Sequence, residues 1–186
     1  ADYLRSHGYR VDELRRPHLI GADLLPRYDI VIRASGFGSY LPQEIYAYQQ
    51  YVHAGGNLLL LGDHMMYLPA DSLALGFGVE FAAITRGDNL VDSLVAHPIT
   101  AGVGVLYYGV GSGVIGYPQS AQLLGFLSAG SYLDLNKNGV QDAGEPSAPP
   151  GFGAFPYGTG RVVFFGDVHT WEWVPQPLLH NGLDWF

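Results

Sequence analysis

Tyr51-Val-His-Ala-Gly-Gly-Asn57-Leu-Leu-Leu-Leu61-Gly-Asp63-His64 compresses a helix end, a strand and a polar strand terminus into fourteen residues. Upstream, Ile45, Tyr48, Gln49 and Val52 recur at three- and four-residue spacing after Pro42, which suits a first helical turn, so a helix is expected over Pro42–His53. Gly55-Gly56 stops it. Asn57–Leu61 then runs apolar without alternation, the pattern of a strand covered on both faces, and predicts a central parallel strand between helical layers. The class that follows is α/β.

Working outward, Tyr28–Arg33 reads as a strand entering the glycine-rich Ala34–Ser39, and Asp2–His7 with Gly8 as a short helix and its stop. Tyr9–Leu14 alternates like a short strand. A chain that opens inside a helix suggests an upstream segment carrying a first strand, and further domains of a longer chain. Downstream, Leu73–Gly78 is expected to be helical, and Val79–Ile84 and Ala121–Phe126 to be strands. Phe152–Pro156 and Arg161–Gly166 should form a hairpin about Tyr157-Gly158-Thr159-Gly160, and Leu178–Phe186 a closing helix. Thr85–Gly116 is too rich in glycine to assign. A single domain over 1–186 is expected from length.

Asp134-Leu-Asn136-Lys-Asn138-Gly139-Val140-Gln-Asp142-Ala-Gly-Glu145 fits the EF-hand-type calcium-loop pattern at every specified position. Side-chain oxygens fall at loop positions one, three, five and nine. The Val140 carbonyl would serve position seven, Glu145 would be bidentate at twelve, and Gly139 permits the sharp turn. The bland alternative is an Asn/Asp/Gly surface turn. Calcium is the expected cofactor, and a loop of this kind favours a calcium-rich setting, secreted or at the cell surface.

The composition narrows the function classes. Formal charge is −8 and Lys137 is the only lysine, so a phosphate-tracking basic surface and nucleic acid as a partner are disfavoured, as is a lysine Schiff base. Cysteine is absent, which removes disulfides, thiolate metal sites and cysteine nucleophiles. Mean hydropathy is +0.11, and the apolar runs are strand-sized against the roughly 20 residues of a membrane span, so a soluble globular chain is expected.

Three pieces in order, Tyr46 to Leu61 with its YVHAGGNLLLLGDH ending, His97-Pro98-Ile99-Thr100, and YGTGRVVFFGDVH over Tyr157–His169, together resemble the class I glutamine amidotransferase-like superfamily, nearest to trehalose-utilization (ThuA-like) domains. The resemblance implies a three-layer flavodoxin-like sheet, mostly parallel, closed here by the C-terminal hairpin, with ligands outside the carboxyl ends of the strands. Amidotransferases carry a cysteine after the central strand and a histidine with a glutamate after the late one. Here Asp63-His64 stands near the cysteine's place, and His169-Thr-Trp-Glu172 only loosely resembles the late pair. Without cysteine the amidotransferase mechanism cannot run.

The residues expected at the strand ends are Asp63, His64, Asp167, His169 and Glu172 as catalytic candidates, and Ser35, Gly36, Gly38, Trp171 and Trp173 as ligand-binding ones. Imidazole plus carboxylate suits zinc and related ions, a second divalent metal beside calcium, or a carboxylate-oriented histidine base. Asp and His after strands equally serve as helix caps, and tryptophan equally serves as core. Ser112 lacks the G-x-S-x-G elbow, since Val110 and Val114 occupy the glycine positions, and His97 is expected to fix a loop. The function expected is a small polar or carbohydrate-type ligand-binding domain without amidotransferase activity. The alternative is a hydrolase of an ester, amide or glycosidic bond.

Overall fold

The computed structural model describes residues 1–15, 19–34, 39–63, 70–172 and 176–186. The central helix and strand form where the sequence places them: α2 spans Pro42–His53 and β2 spans Asn57–Leu61, after α1 (Asp2–Ser6) and β1 (Ile30–Arg33). Glu44 in the first turn of α2 accepts the N-cap Leu41 N–H at 2.9 Å, satisfying a donor that the helix start leaves open, and also takes the Ile20 N–H at 3.2 Å. α3 (Ser72–Gly76) is capped by Asp71, whose Oδ1 accepts the Ala74 N–H at 3.1 Å.

Val79–Ile84, expected as one strand, is two: β3 (Glu80–Ala82) and β4 (Ile84–Arg86), separated by Ala83 at φ 58°. That left-handed residue breaks the ladder and turns the chain from one small sheet, β3 with β7 (Gly113–Gly116), to another, β4 with β9 (Tyr132–Asp134). The unassigned glycine-rich stretch supplies β5 (Leu90–Leu94) and β6 (Leu106–Tyr107). β8 (Gln122–Leu127), β10 (Pro150–Tyr157) and β11 (Gly160–Phe165) follow, then α4 (His169–Glu172) and α5 (Gln176–Trp185).

The large sheet has seven strands in the order β1-β2-β11-β10-β8-β5-β6. β1 and β11 flank β2 in parallel, whereas β11-β10, β10-β8, β8-β5 and β5-β6 are antiparallel. The expectation of a mostly parallel sheet is therefore corrected. Only the half around β2 is parallel: β10 and β11 form a hairpin, and the segments that join β5, β8 and β10 carry no α-helix to make a crossover. Tyr9–Leu14 is likewise not a strand, having no ladder among the described residues.

Consecutive side chains of β2 and β11 face opposite ways. Leu58, Leu60, Val162 and Phe164 pack with Tyr48, Tyr51 and Val52 of α2 and Leu73 of α3. Leu59, Leu61, Val163 and Phe165 pack with Ile99, Tyr108, Phe152 and Leu178 of α5. The four leucines of β2 are all at most 4% exposed, and full burial stabilises by roughly 1.5–3 kcal/mol per such side chain. A strand apolar on both faces has thus found cover on both. Among the described residues, no helix is long and apolar enough to cross a membrane.

Candidate functional site

β2 and β11 are parallel neighbours with Leu61 opposite Phe165, so the two chains leave the sheet together through Gly62-Asp63 and Gly166-Asp167. Both glycines are required by close approach. A Cβ on Gly62 would lie 2.8 Å from the Gly166 carbonyl oxygen, and one on Gly166 would fall inside contact distance of Tyr108 Oη and the Ser112 carbonyl. The Gly62 N–H continues the ladder to the Phe165 carbonyl at 2.7 Å.

Ser112 ties the two exits. Its Oγ donates to the Asp63 carbonyl at 2.6 Å and its N–H to the Gly166 carbonyl at 3.2 Å, while the fully buried Tyr108 hydroxyl donates to the Ser112 carbonyl at 2.8 Å. Ser112 is buried, so its part here is to hold backbone. Its flanking glycines, Gly111 and Gly113, carried the available signal, since glycine inside a strand pattern marks close backbone approach.

The Asp167 carboxylate is sealed. Its Oδ1 accepts the His169 N–H at 2.6 Å and lies 3.0 Å from His169 Nδ1, whereas Oδ2 is buried without a hydrogen-bond partner. The Gly109–Gly111 turn closes over it: a Cβ on Gly109 would lie 2.5 Å from Asp167 Oδ2, and one on Gly111 2.5 Å from Asp167 Cβ. Burial pushes the Asp167 carboxyl above its ordinary value. Hydrogen bonds and charge from His169 oppose the shift, and the nearby Asp63 charge adds to it. The His169 side chain is 29% exposed, so this dyad has one sealed end and one accessible end.

Of the expected strand-end residues, Asp167 and His169 are bonded to each other, and Asp63 leaves the neighbouring strand near enough for its charge to act on Asp167. Trp171 stands close by, but its ring meets Phe165 edge-on at 5.1 Å and packs against the cluster of the α5 face, with Nε1 buried and unpartnered. Thr170, which the sequence reading passed over, is fully buried with its hydroxyl unpartnered. Ser35, Gly36, Gly38, His64 and Trp173 lie outside the described residues, as does the side chain of Glu172. Among the described residues, no three His, Cys, Asp or Glu side chains form a group that could hold a metal ion. His97 fixes a loop as expected, its Nδ1 accepting the Ile99 N–H at 3.2 Å.

The 134–145 loop follows β9 and is drawn in around its own oxygens. Lys137 at φ 65° and Gly139 at φ 82° fold the backbone back. Asp134 Oδ1 accepts the Asn138 N–H at 3.0 Å and Oδ2 the Gly139 N–H at 2.9 Å. Asn136 and Asn138 both direct Nδ2 to Asp142 Oδ2 at 2.7 Å, and Glu145 accepts the Leu135 and Asp142 N–H groups at 2.7 and 3.0 Å. Burial would raise the Asp134 carboxyl, but the N–H groups of Gly139, Lys137 and Asn138 and the Arg86 guanidinium outweigh it and hold the carboxyl below its ordinary value. Val140 is exposed at the rim.

A separate hollow of about 350 Å³ lies near the amino ends of β1 and β2, lined by Tyr28, Asp29, Gln50, Tyr51 and Asn57; neither the strand-end residues nor the 134–145 loop line it.

No family model matches the sequence, and no curated protein matches it. Among solved structures, the chain is similar to the mmIFT52 N-terminal domain, with TM-score 0.71 and 15% identity over 98% of this chain and 84% of that one. It is also similar to cytoplasmic protein STM3548 from Salmonella typhimurium, with TM-score 0.66 and 15% identity over 100% and 84%. A putative ThuA-like protein from Bacteroides uniformis follows, with TM-score 0.52 and 16% identity over 89% and 71%. At such identities the likeness is one of fold, and the chain is an α/β domain whose fold is shared with a ThuA-like protein and other bacterial proteins.

Proposed function

We propose that this is an amidotransferase-like domain of three-layer, flavodoxin-like type that has no amidotransferase activity and binds a small polar ligand of carbohydrate type at the carboxyl edge of β2 and β11. The observation that carries the reading is the Asp167–His169 pair. A buried carboxylate with one committed oxygen orients an accessible imidazole, and the charge of Asp63, at the neighbouring strand exit, acts on that carboxylate. A polar group arranged in this way recognises hydroxyl-rich molecules, since imidazole both donates and accepts hydrogen bonds.

The 134–145 loop is proposed to hold one calcium ion. The support is the donor types and their spacing: Asp134, Asn136, Asn138, Asp142 and Glu145 each carry a side-chain oxygen at a ligand position of the loop, with the Val140 carbonyl as the backbone donor. Its role is a brace between β9 and β10, in a calcium-rich setting outside the cell or on its surface. The ligand reading is tested by calorimetry with glucose, galactose and trehalose. Saturable binding that weakens at least tenfold in His169→Ala, with the melting temperature unchanged, supports it; absence of binding to all three sinks it.

The Asp167–His169 distance of 3.0 Å also favours a second reading, a hydrolase in which Asp167 holds His169 as general base for attack on an ester, amide or glycosidic bond. Release of p-nitrophenol from its ester and glycoside derivatives, abolished by His169→Ala, distinguishes the two. A metal-dependent form would lose turnover to a chelator and recover it with zinc.

A further inference from the structure

The hollow at the amino ends of β1 and β2 lies at the opposite end of β2 from Asp63. The space exists because small residues stand where α2 ends: Ala47, Ala54, Gly55 and Gly56 line it beside Pro26. Gly56 has to be glycine, since a Cβ there would fall inside the Tyr51 ring. Tyr51 in turn is pinned, its hydroxyl donating to the Tyr28 carbonyl at 3.0 Å and accepting the Asn57 N–H at 3.2 Å. At about 350 Å³ the hollow has the volume of a small-ligand site.

Most donors around it are spent. Asn57 Nδ2 goes to the Asp29 carbonyl at 3.2 Å, the Tyr28 hydroxyl to Asp12 at 3.1 Å, and the N–H groups of Ala54, Gly55 and Gly56 to carbonyls of α2 at 3.0 Å each. Acceptors are left over. Among the described residues, neither the Asp29 carboxylate nor Asn57 Oδ1 takes a hydrogen bond, and the exposed Gln50 at the rim adds an amide carbonyl as well as an amide donor. Arg10 and Arg27, whose charges act on Tyr28, lean to Asp12 at 3.9 Å and Asp23 at 3.7 Å, so Asp29 has no ion pair among the described residues. Burial pushes the Tyr51 hydroxyl up to about 12, and the Asp29 charge adds to that shift against the bond with Asn57, so the field of Asp29 reaches the hollow.

We propose that this hollow is a second binding site, one for a small organic cation: a primary ammonium on a short alkyl chain, its N–H groups taken by Asp29 and Asn57 Oδ1 and its chain laid along Ala47 and Ala54. An ammonium offers three donors and no acceptor, which matches a rim short of donors and rich in acceptors. One carboxylate and two amide carbonyls fall short of the six to eight oxygens that calcium takes. An anion would meet the unpaired Asp29 on a chain of formal charge −8. A tyrosine ring face adds to the attraction for a cation wherever the two meet. The site stands apart from the ligand proposed for the carboxyl edge and does not depend on it.

The test is an NMR titration of the isotope-labelled 186-residue chain with pentylamine, and with 1-pentanol as the uncharged control of the same length. Pentylamine should give saturable shifts centred on the amides of Tyr28, Asp29 and Ala54–Asn57, at least tenfold tighter than 1-pentanol, and should weaken in about 0.5 M salt. Asp29→Asn should weaken binding at least fivefold without lowering the melting temperature, because the carboxylate holds nothing in the fold. Ala54→Leu fills an exposed part of the hollow and should abolish binding with the charge intact, while His169→Ala should leave it unchanged. Shifts that do not saturate, or that spread over the other acidic residues, mean attraction by net charge alone and overturn the proposal. So does equal affinity for 1-pentanol, parental binding by Asp29→Asn or Ala54→Leu, or loss of binding with His169→Ala.

Discussion

Gly166→Ala is the sharpest probe of how the two strand exits are built. The new methyl group would fall inside contact distance of the Tyr108 hydroxyl and the Ser112 carbonyl. Neither can yield freely. Tyr108 is fully buried and its hydroxyl already donates to Ser112 and Gly151, while the Ser112 carbonyl is held by the bonds from Ser112 to Asp63 and Gly166. Overpacking of this kind costs about 1–3 kcal/mol, and loss of the buried Tyr108 bond adds about 1–3 kcal/mol. A total near 4 kcal/mol corresponds to a fall of about 8–16 °C in melting temperature for a domain of this size. Urea unfolding should show the midpoint moving with little change in slope. In a Tyr108→Phe background, which removes the hydroxyl, Gly166→Ala should cost at least about 1 kcal/mol less, the coupling expected of touching groups. A single variant within about 0.5 kcal/mol of the parent, the size of an ordinary surface change, would show that the exits are looser than described.

Asp71→Ala removes both the cap of α3 and the buried partner of Arg33, an ion pair whose side chains are 1% and 3% exposed, and stranding a buried charge should cost about 3–5 kcal/mol in a urea titration. Moving from chelator to 10 mM calcium should stabilise the protein by about 1–3 kcal/mol if the loop binds as extracellular modules do, and Glu145→Gln should abolish the shift. An unchanged melting curve would remove calcium from the account. Asp167, raised above its ordinary value of 3.8, holds its proton more firmly in the folded state, so its contribution to stability falls as pH rises from about that value through the folded one. Asp167→Asn should therefore gain on the parent as pH increases across that window. Asp134, depressed below 3.8, acts in the opposite sense: its stabilisation is present above that value and lost as pH falls through the lower folded one, so the deficit of Asp134→Asn should shrink in acid.

Local signals in the sequence were read well. Pro42–His53 and Asn57–Leu61 appear with the expected bounds because proline, helical spacing, a glycine pair and an unbroken apolar run all act within a few residues. That Asp63 and Asp167 follow neighbouring strands agrees with the rule that parallel strands bring their carboxyl ends to one edge, whereas contact between their side chains was not legible from spacing. What escaped depends on partners far along the chain. Tyr9–Leu14 has the alternation of a strand but no ladder, and pattern alone cannot show pairing. Ala83 breaks Val79–Ile84 with a left-handed conformation that an alanine gives no reason to expect. The antiparallel half of the sheet follows from where β8 and β5 dock, which no local window contains. Ser112 looked like a failed nucleophile and is a tie between two strand exits.

The glycine pair at those exits bears on how the scaffold could be re-engineered. Positions 62 and 166 can carry no side chain, so the first side chains beyond this end of the sheet stand at 63 and 167, and a group grafted there must match the packing that already covers them. Those two residues leave neighbouring strands, which run about 4.8 Å apart. A designer therefore inherits a fixed two-pronged mount, whose prong spacing is set by backbone pairing before any loop is chosen.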